Sequence, residues 1–146
     1  MKCKLKTQRF PVLALAALSI LAFLASPSRA EAQPAGSPEQ TLLQLANQAR
    51  AAQNLPPLRW DASLARAAHV HLQWVIRNSG DLEHQYPGEP DLVTRGANAG
   101  ARFGTISENI AGHGDTPASL QQIWMTTPAH RTNLLDPKLN VVGIAV

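Results

Sequence analysis

The first thirty residues constrain this chain more than any other feature, because they carry its only cysteine, Cys3, and five of its 13 Lys and Arg residues. Lys2, Lys4, Lys6 and Arg9 form a basic start, and Val12 to Ala25 (VLALAALSILAFLA) form an apolar stretch. Ser28-Arg29-Ala30 and Ala30-Glu31-Ala32 then place small residues at the −3 and −1 positions of a cleavage site. This is the layout of a secretory signal peptide over residues 1–30. An uncleaved anchor is the competing reading, but the apolar stretch is shorter than the roughly 20 residues of a membrane span. A lipid anchor fits less well, since Cys3 precedes the apolar stretch.

Cleavage changes what the remainder can be. The whole chain of 146 residues has a formal net charge of +3. After Ala30 eight basic residues face ten acids, so the exported part is weakly acidic and the nucleic-acid reading of a basic protein loses its basis. No thiol nucleophile and no disulfide are available there, and the fold must be held by packing and hydrogen bonds. The expected destination is the periplasm or the cell exterior, with no transmembrane span once the leader is gone.

Residues 31–37 are a polar lead-in containing Pro34 and Gly36. One domain is then expected over residues 38–146. Ser37-Pro38-Glu39-Gln40 predicts a helix start with Ser37 as N-cap and Gln40 closing a capping box. Leu42, Leu45, Ala46 and Ala49 recur at helical spacing, which carries this helix to about Gln53 before Pro56-Pro57. Asp61 caps a second helix ending near Gly80, with Leu64, Ala68, His71 and Val75 on one face. A loop from Gln85 to Asp91 leads to a short helix over Leu92 to Ala97, and Phe103 to Ala111 reads as extended. Thr116-Pro117 and Thr127-Pro128 open two more helices, the last ended by Asp136-Pro137. The run Val141 to Val146 reads as a strand buried on both faces. Such a strand needs neighbours on both edges, so further strand beyond Val146 is expected.

The common catalytic signatures are missing: there is no Gly-rich phosphate loop, no HExxH, no CxxC and no Gly-x-Ser-x-Gly. Histidine and carboxylate remain. His69 and His71 point about 200° apart on a helix, so they cannot share a site. His71, on the apolar face, is expected to be a hydrogen-bonded core residue, His69 to face solvent and His113 to lie in a loop. Trp60 and Trp124 are expected to anchor the core. His84, Glu108 and His130 each lie at a segment end, where polar side chains converge on clefts. Spacing alone leaves two readings of them open, a shared site for metal or acid–base chemistry and three unrelated surface residues.

LLQLANQARAAQNLPPLRWDASLARAAHVHLQ, LEHQ, SENIAGH, WMTTPAHRTNLL and VVGIAV occur in order from Thr41 to Val146. Together they resemble the bacterial branch of the CAP superfamily, which groups cysteine-rich secretory proteins, antigen 5 and pathogenesis-related 1. The resemblance implies an α+β fold, a three-layer α-β-α sandwich around a central antiparallel sheet, here lacking its C-terminal strand or strands. It implies a cleft of two histidines and two glutamates that takes a divalent metal such as zinc in some members. His84, Glu108 of the SEN motif and His130 match three of the four positions and are the candidate catalytic residues, with His84 and His130 as the candidate metal ligands. The second glutamate would fall at Thr127, which is no acid. Asn109, Arg131 and Asn133 match the motifs as structural residues, the asparagines tying loop backbone and Arg131 pairing with Glu108 or Asp136.

The expected function is therefore a secreted binding module whose partner is a small ligand or an envelope or extracellular component. A metal-assisted hydrolase of peptide or envelope material with Glu108 as base is the first alternative. Lipid or sterol carriage, implied by eukaryotic relatives alone, is the second.

Overall fold

The computed structural model describes residues 36–146 except 79, 80 and 113. The leader, most of the lead-in and His113 lie outside them. Five helices and one strand pair follow in the order α1 (Pro38–Ala51), β1 (Arg59–Trp60), α2 (Ala62–Arg77), α3 (Leu92–Asn98), α4 (Pro117–Thr126), α5 (Pro128–Leu134) and β2 (Val141–Val142). Among the described residues no helix is long and apolar enough to cross a membrane.

Short polar side chains start four of the helices. Ser37, Asp61, Asp91 and Thr116 accept the N–H of Gln40, Leu64, Thr94 and Ser119, satisfying donors that a first turn leaves open. The reciprocal capping box forms at Thr116 and Ser119. At α1 only the Ser37 half of the expected box is made. Thr127 ends α4 and starts α5 in the extended conformation that Pro128 imposes on its predecessor, so one kinked pair replaces a longer helix.

The strand pair is parallel, with Arg59 opposite Val141 and Trp60 opposite Val142. This differs from the antiparallel pairing expected. A connection through all of α2 to α5 separates the two strands, long enough for the crossover that a parallel pair requires. Val141 to Ala145 are half-buried and Val146 is exposed, so the closing run is not covered on both faces. Gly143 lies directly against the Leu64–Ala65 backbone in the first turn of α2, where a Cβ has no room. Among the described residues Phe103 to Ala111 joins no sheet. It packs by Phe103 and Ile106 against Gly96 of α3 and delivers Glu108 and Asn109 to the site.

Leu42, Ala46, Leu58, Ala67, Tyr86 and Leu134 are the buried apolar residues. Trp60 and Trp124 are only half-buried, so the expected tryptophan anchors are not the centre of packing. At that centre stands a cation. Arg50, with no exposed surface, donates from Nε to the Pro56 carbonyl (2.8 Å), from Nη1 to those of Leu134 (2.9 Å) and Asp136 (3.0 Å), and from Nη2 to that of Leu139 (2.9 Å). Burial lowers its pKa from the ordinary arginine value, and the charge of Asp136 opposes that. Asn47, one turn earlier, makes two bonds to the Leu58 backbone, donating to its carbonyl (3.0 Å) and accepting its N–H (2.7 Å). One face of α1 thus sets both the approach to β1 and the approach to β2.

Two predictions follow from these contacts. Hydrogen bonds to a charged group contribute about 1.5–3 kcal/mol each, so Arg50→Met, which leaves four carbonyls without their donor, lowers stability in urea unfolding by at least about 3 kcal/mol. At α3 the Thr94 backbone N–H holds the Asp91 carboxyl below its usual range. That contribution is complete above the unfolded carboxylate pKa and is lost as pH falls through the lowered folded value. Asp91→Asn keeps the cap, so its stability falls less steeply with acid over that interval.

Candidate functional site

The site grows from one buried histidine. His71 follows Ala67 along the inner face of α2 and is 4% exposed. A buried imidazole needs a polar partner. It finds Glu89, whose Oε1 lies 2.7 Å from His71 Nδ1. Glu89 comes from the Gln85 to Asp91 loop, and that loop is shaped to hold it. The Tyr86 N–H donates to Glu89 Oε2 (3.0 Å), Gln85 Nε2 donates to the Glu89 carbonyl (3.0 Å), and the Tyr86 ring stacks on Trp74 at 6.5 Å. The Tyr86 hydroxyl donates to the Asp81 carbonyl, tying the loop to the end of α2.

Arg95 of α3 extends the chain of charges. Its Nη1 donates to Glu89 Oε1 and its Nη2 to Glu108 Oε1, both at 2.9 Å. Its Nη2 also lies 3.3 Å from the carbonyl of His84. Glu108 Oε2 then receives His84 Nδ1 at 2.9 Å. The result is a continuous relay, His71, Glu89, Arg95, Glu108, His84, in which one guanidinium stands between two imidazole–carboxylate pairs. The inner end is buried, with side chains 5% exposed at His71 and 0% at Glu89, and exposure then rises to 2% at Arg95, 14% at Glu108 and 61% at His84. His84 is therefore the relay's open end.

His84 and Glu108 are brought into direct contact. His130 is joined differently: Asn109 Nδ2 donates to its carbonyl (2.9 Å), while its Nδ1 is buried without a partner. Asn133 Nδ2 donates to Asn109 Oδ1 (2.9 Å) and approaches the Glu108 carbonyl (3.3 Å), so the two asparagines clip the 108–109 segment to α5. Arg131 is exposed and enters no salt bridge among the described residues, and the guanidinium on Glu108 is that of Arg95. His69 is exposed.

Sequence reasoning missed Glu89 and Arg95. The available signal was His71 itself, since a histidine on an apolar helix face demands a buried partner, and Glu89 lies in the loop that follows that helix.

The zinc expectation can be tested on the donor set. A zinc site needs about three protein ligands with free lone pairs. Among the described residues no three His, Cys, Asp or Glu side chains are grouped closely enough to hold an ion. The arrangement as folded does not fit a three-ligand metal centre. Its chemistry is that of hydrogen bonding and charge, with two carboxylates against one guanidinium.

Removing one partner of a buried ion pair costs about 3–5 kcal/mol, because the other charge stays buried without compensation. Glu89→Gln, which keeps the shape and removes one charge facing Arg95, is expected to lower stability in urea unfolding by less than that amount, because Glu108 still faces the guanidinium.

Comparison with known proteins agrees with this architecture. The family model for the cysteine-rich secretory protein (CAP) family matches residues 43–146. The Bacillus subtilis protein YkwD is 29% identical over 106 residues, which cover 73% of this chain and 41% of that protein. Among solved structures, an extracellular Bacillus anthracis protein containing an SCP domain matches 75% of this chain and 36% of its own at 29% identity, with a TM-score of 0.71. A Staphylococcus aureus cysteine-rich secretory protein shares the fold at 20% identity and a TM-score of 0.62, over 75% of this chain and 35% of its own. The chain thus spans about two fifths or less of the length of these relatives. Although its matched residues contain no cysteine, the chain belongs to the CAP family, the cysteine-rich secretory protein family.

Proposed function

We propose that this CAP domain works outside the cytoplasm as a binding module, and that its ligand docks at the His84–Glu108 pair. The observation that carries the reading is the gradient of exposure in the relay, from a wholly buried Glu89 to an imidazole 61% exposed. A solvent-facing ring held on a carboxylate that is itself anchored from below is preorganised for contact, and preorganisation lowers the ordering cost of binding. Export is supported by the leader and by the extracellular description of the B. anthracis relative.

The relay's charge states the ligand's chemistry. One guanidinium opposite two carboxylates leaves an excess of negative charge when the imidazoles are neutral. The complementary ligand offers ammonium, amide or hydroxyl donors, as envelope peptides and glycans do. Binding is favoured over hydrolysis because Thr127 stands where the resemblance places a second glutamate, so that position supplies no second carboxylate for acid–base chemistry.

The test is an NMR titration of the purified protein with soluble muropeptides and, separately, with Zn²⁺. Expected are muropeptide-induced shifts at residues 84, 108 and 109, with affinity reduced about tenfold or more in His84→Ala, the equivalent of about 1.4 kcal/mol. Shifts that avoid this site, or an unchanged affinity in His84→Ala, overturn the reading. Zn²⁺ binding abolished by both His84→Ala and His130→Ala would replace it with a metal centre.

A further inference from the structure

We infer that Arg95 is the positioning residue of this site: seated on the buried Glu89–His71 pair, it presents Glu108 so that His84 is locked in the Nδ1–H tautomer with Nε2 as its outward-facing acceptor. The inference deepens the binding reading above, and its test needs no ligand.

Three contacts carry it. First, Arg95 touches both members of the exposed pair, donating to Glu108 Oε1 (2.9 Å) and approaching the backbone carbonyl of His84 (3.3 Å). It therefore fixes the carboxylate and the main chain bearing the imidazole relative to one another. Second, Arg95 has little freedom of its own. Its side chain is 2% exposed and its Nη1 is held at 2.9 Å by Glu89, which is 0% exposed and further bound by His71 Nδ1 (2.7 Å) and the Tyr86 N–H (3.0 Å). Third, the hydrogen-bond inventory decides the tautomer. An ionised carboxylate only accepts, so the ring nitrogen 2.9 Å from Glu108 Oε2 must be the donor. In the neutral ring the proton is then on Nδ1 and the lone pair on Nε2. A carboxylate left free to rotate would impose no such choice on a ring as exposed as this one.

The consequence is a defined polarity at the open end of the relay. The site shows its ligand a lone pair at His84 Nε2 rather than an N–H, which selects for a donor group.

The tautomer is read from the ring ¹⁵N shifts of His84 at a pH where the ring is neutral. In the unaltered protein Nδ1 is expected to carry the proton, and Nε2 to show the downfield shift of an unprotonated ring nitrogen. Arg95→Met combined with Glu89→Gln removes both buried charges together and avoids stranding one. In that variant the two ¹⁵N shifts are expected to exchange roles or average, while far-UV circular dichroism and the methyl resonances of Leu42 and Leu134 stay native. Arg95→Lys, which keeps the charge but not the fork, is expected to restore the Nδ1–H signature in part.

An Nε2–H tautomer in the unaltered protein overturns the inference without any variant. So does a His84 signature that is the same in the folded double variant as in the parent, since a purely structural Arg95 would change stability and leave the ring alone. If the tautomer behaves as expected and muropeptides do not bind, the positioning role stands and the binding reading falls.

Discussion

The fold depends on one buried cation. Arg50 makes no salt bridge among the described residues, although the charge of Asp136 acts on it. It is surrounded by main-chain carbonyls from the segment before β1 and from the end of α5 through the turn that leads to β2. A chain without disulfides needs some way to hold distant segments in register. A planar guanidinium, with five donors in a rigid fork, does this where an apolar side chain cannot, because it reaches carbonyls of several segments at once. The parallel pairing of Arg59–Trp60 with Val141–Val142 is the visible result: four residues of strand make a small sheet, and their approach is set from α1 by Arg50 and Asn47.

A second buried arginine does a different task. Arg95 stands between Glu89 and Glu108, and its charge is more than balanced. The contrast follows from position. Arg50 closes a structural seam by bonding to main-chain carbonyls, whereas Arg95 lies under a surface pair and passes order outward from a buried carboxylate to an exposed imidazole. The asparagines Asn109 and Asn133 complete this by pinning the 108–109 backbone to α5, so Glu108 is held by its side chain from one direction and by its main chain from another.

Much of the helical framework was legible in the sequence because its signals are local. Ser37, Asp61, Asp91 and Thr116 precede their helices, and a cap acts within three residues. His71 was legible as a core histidine for the same reason, since its place on the α2 face depends only on helical spacing. The strands were less legible. Val141 to Val146 has the composition of a covered strand, but cover is supplied by other segments, and here only two of its residues pair. Phe103 to Ala111, with Ile106 and Ile110 between glycines, reads as extended and pairs with nothing among the described residues.

By itself the sequence determined where most helices start, the absence of cysteine after Cys3, and the family, whose motifs are read as ordered words. Only the tertiary structure decided which guanidinium meets Glu108, that His130 joins the site through its carbonyl, and that Glu89 belongs to the relay at all. The physical reason is range. Capping and amphipathic spacing act over one turn and leave a pattern in adjacent letters, whereas a buried charge takes its partner from whatever segment the fold brings within about 3 Å.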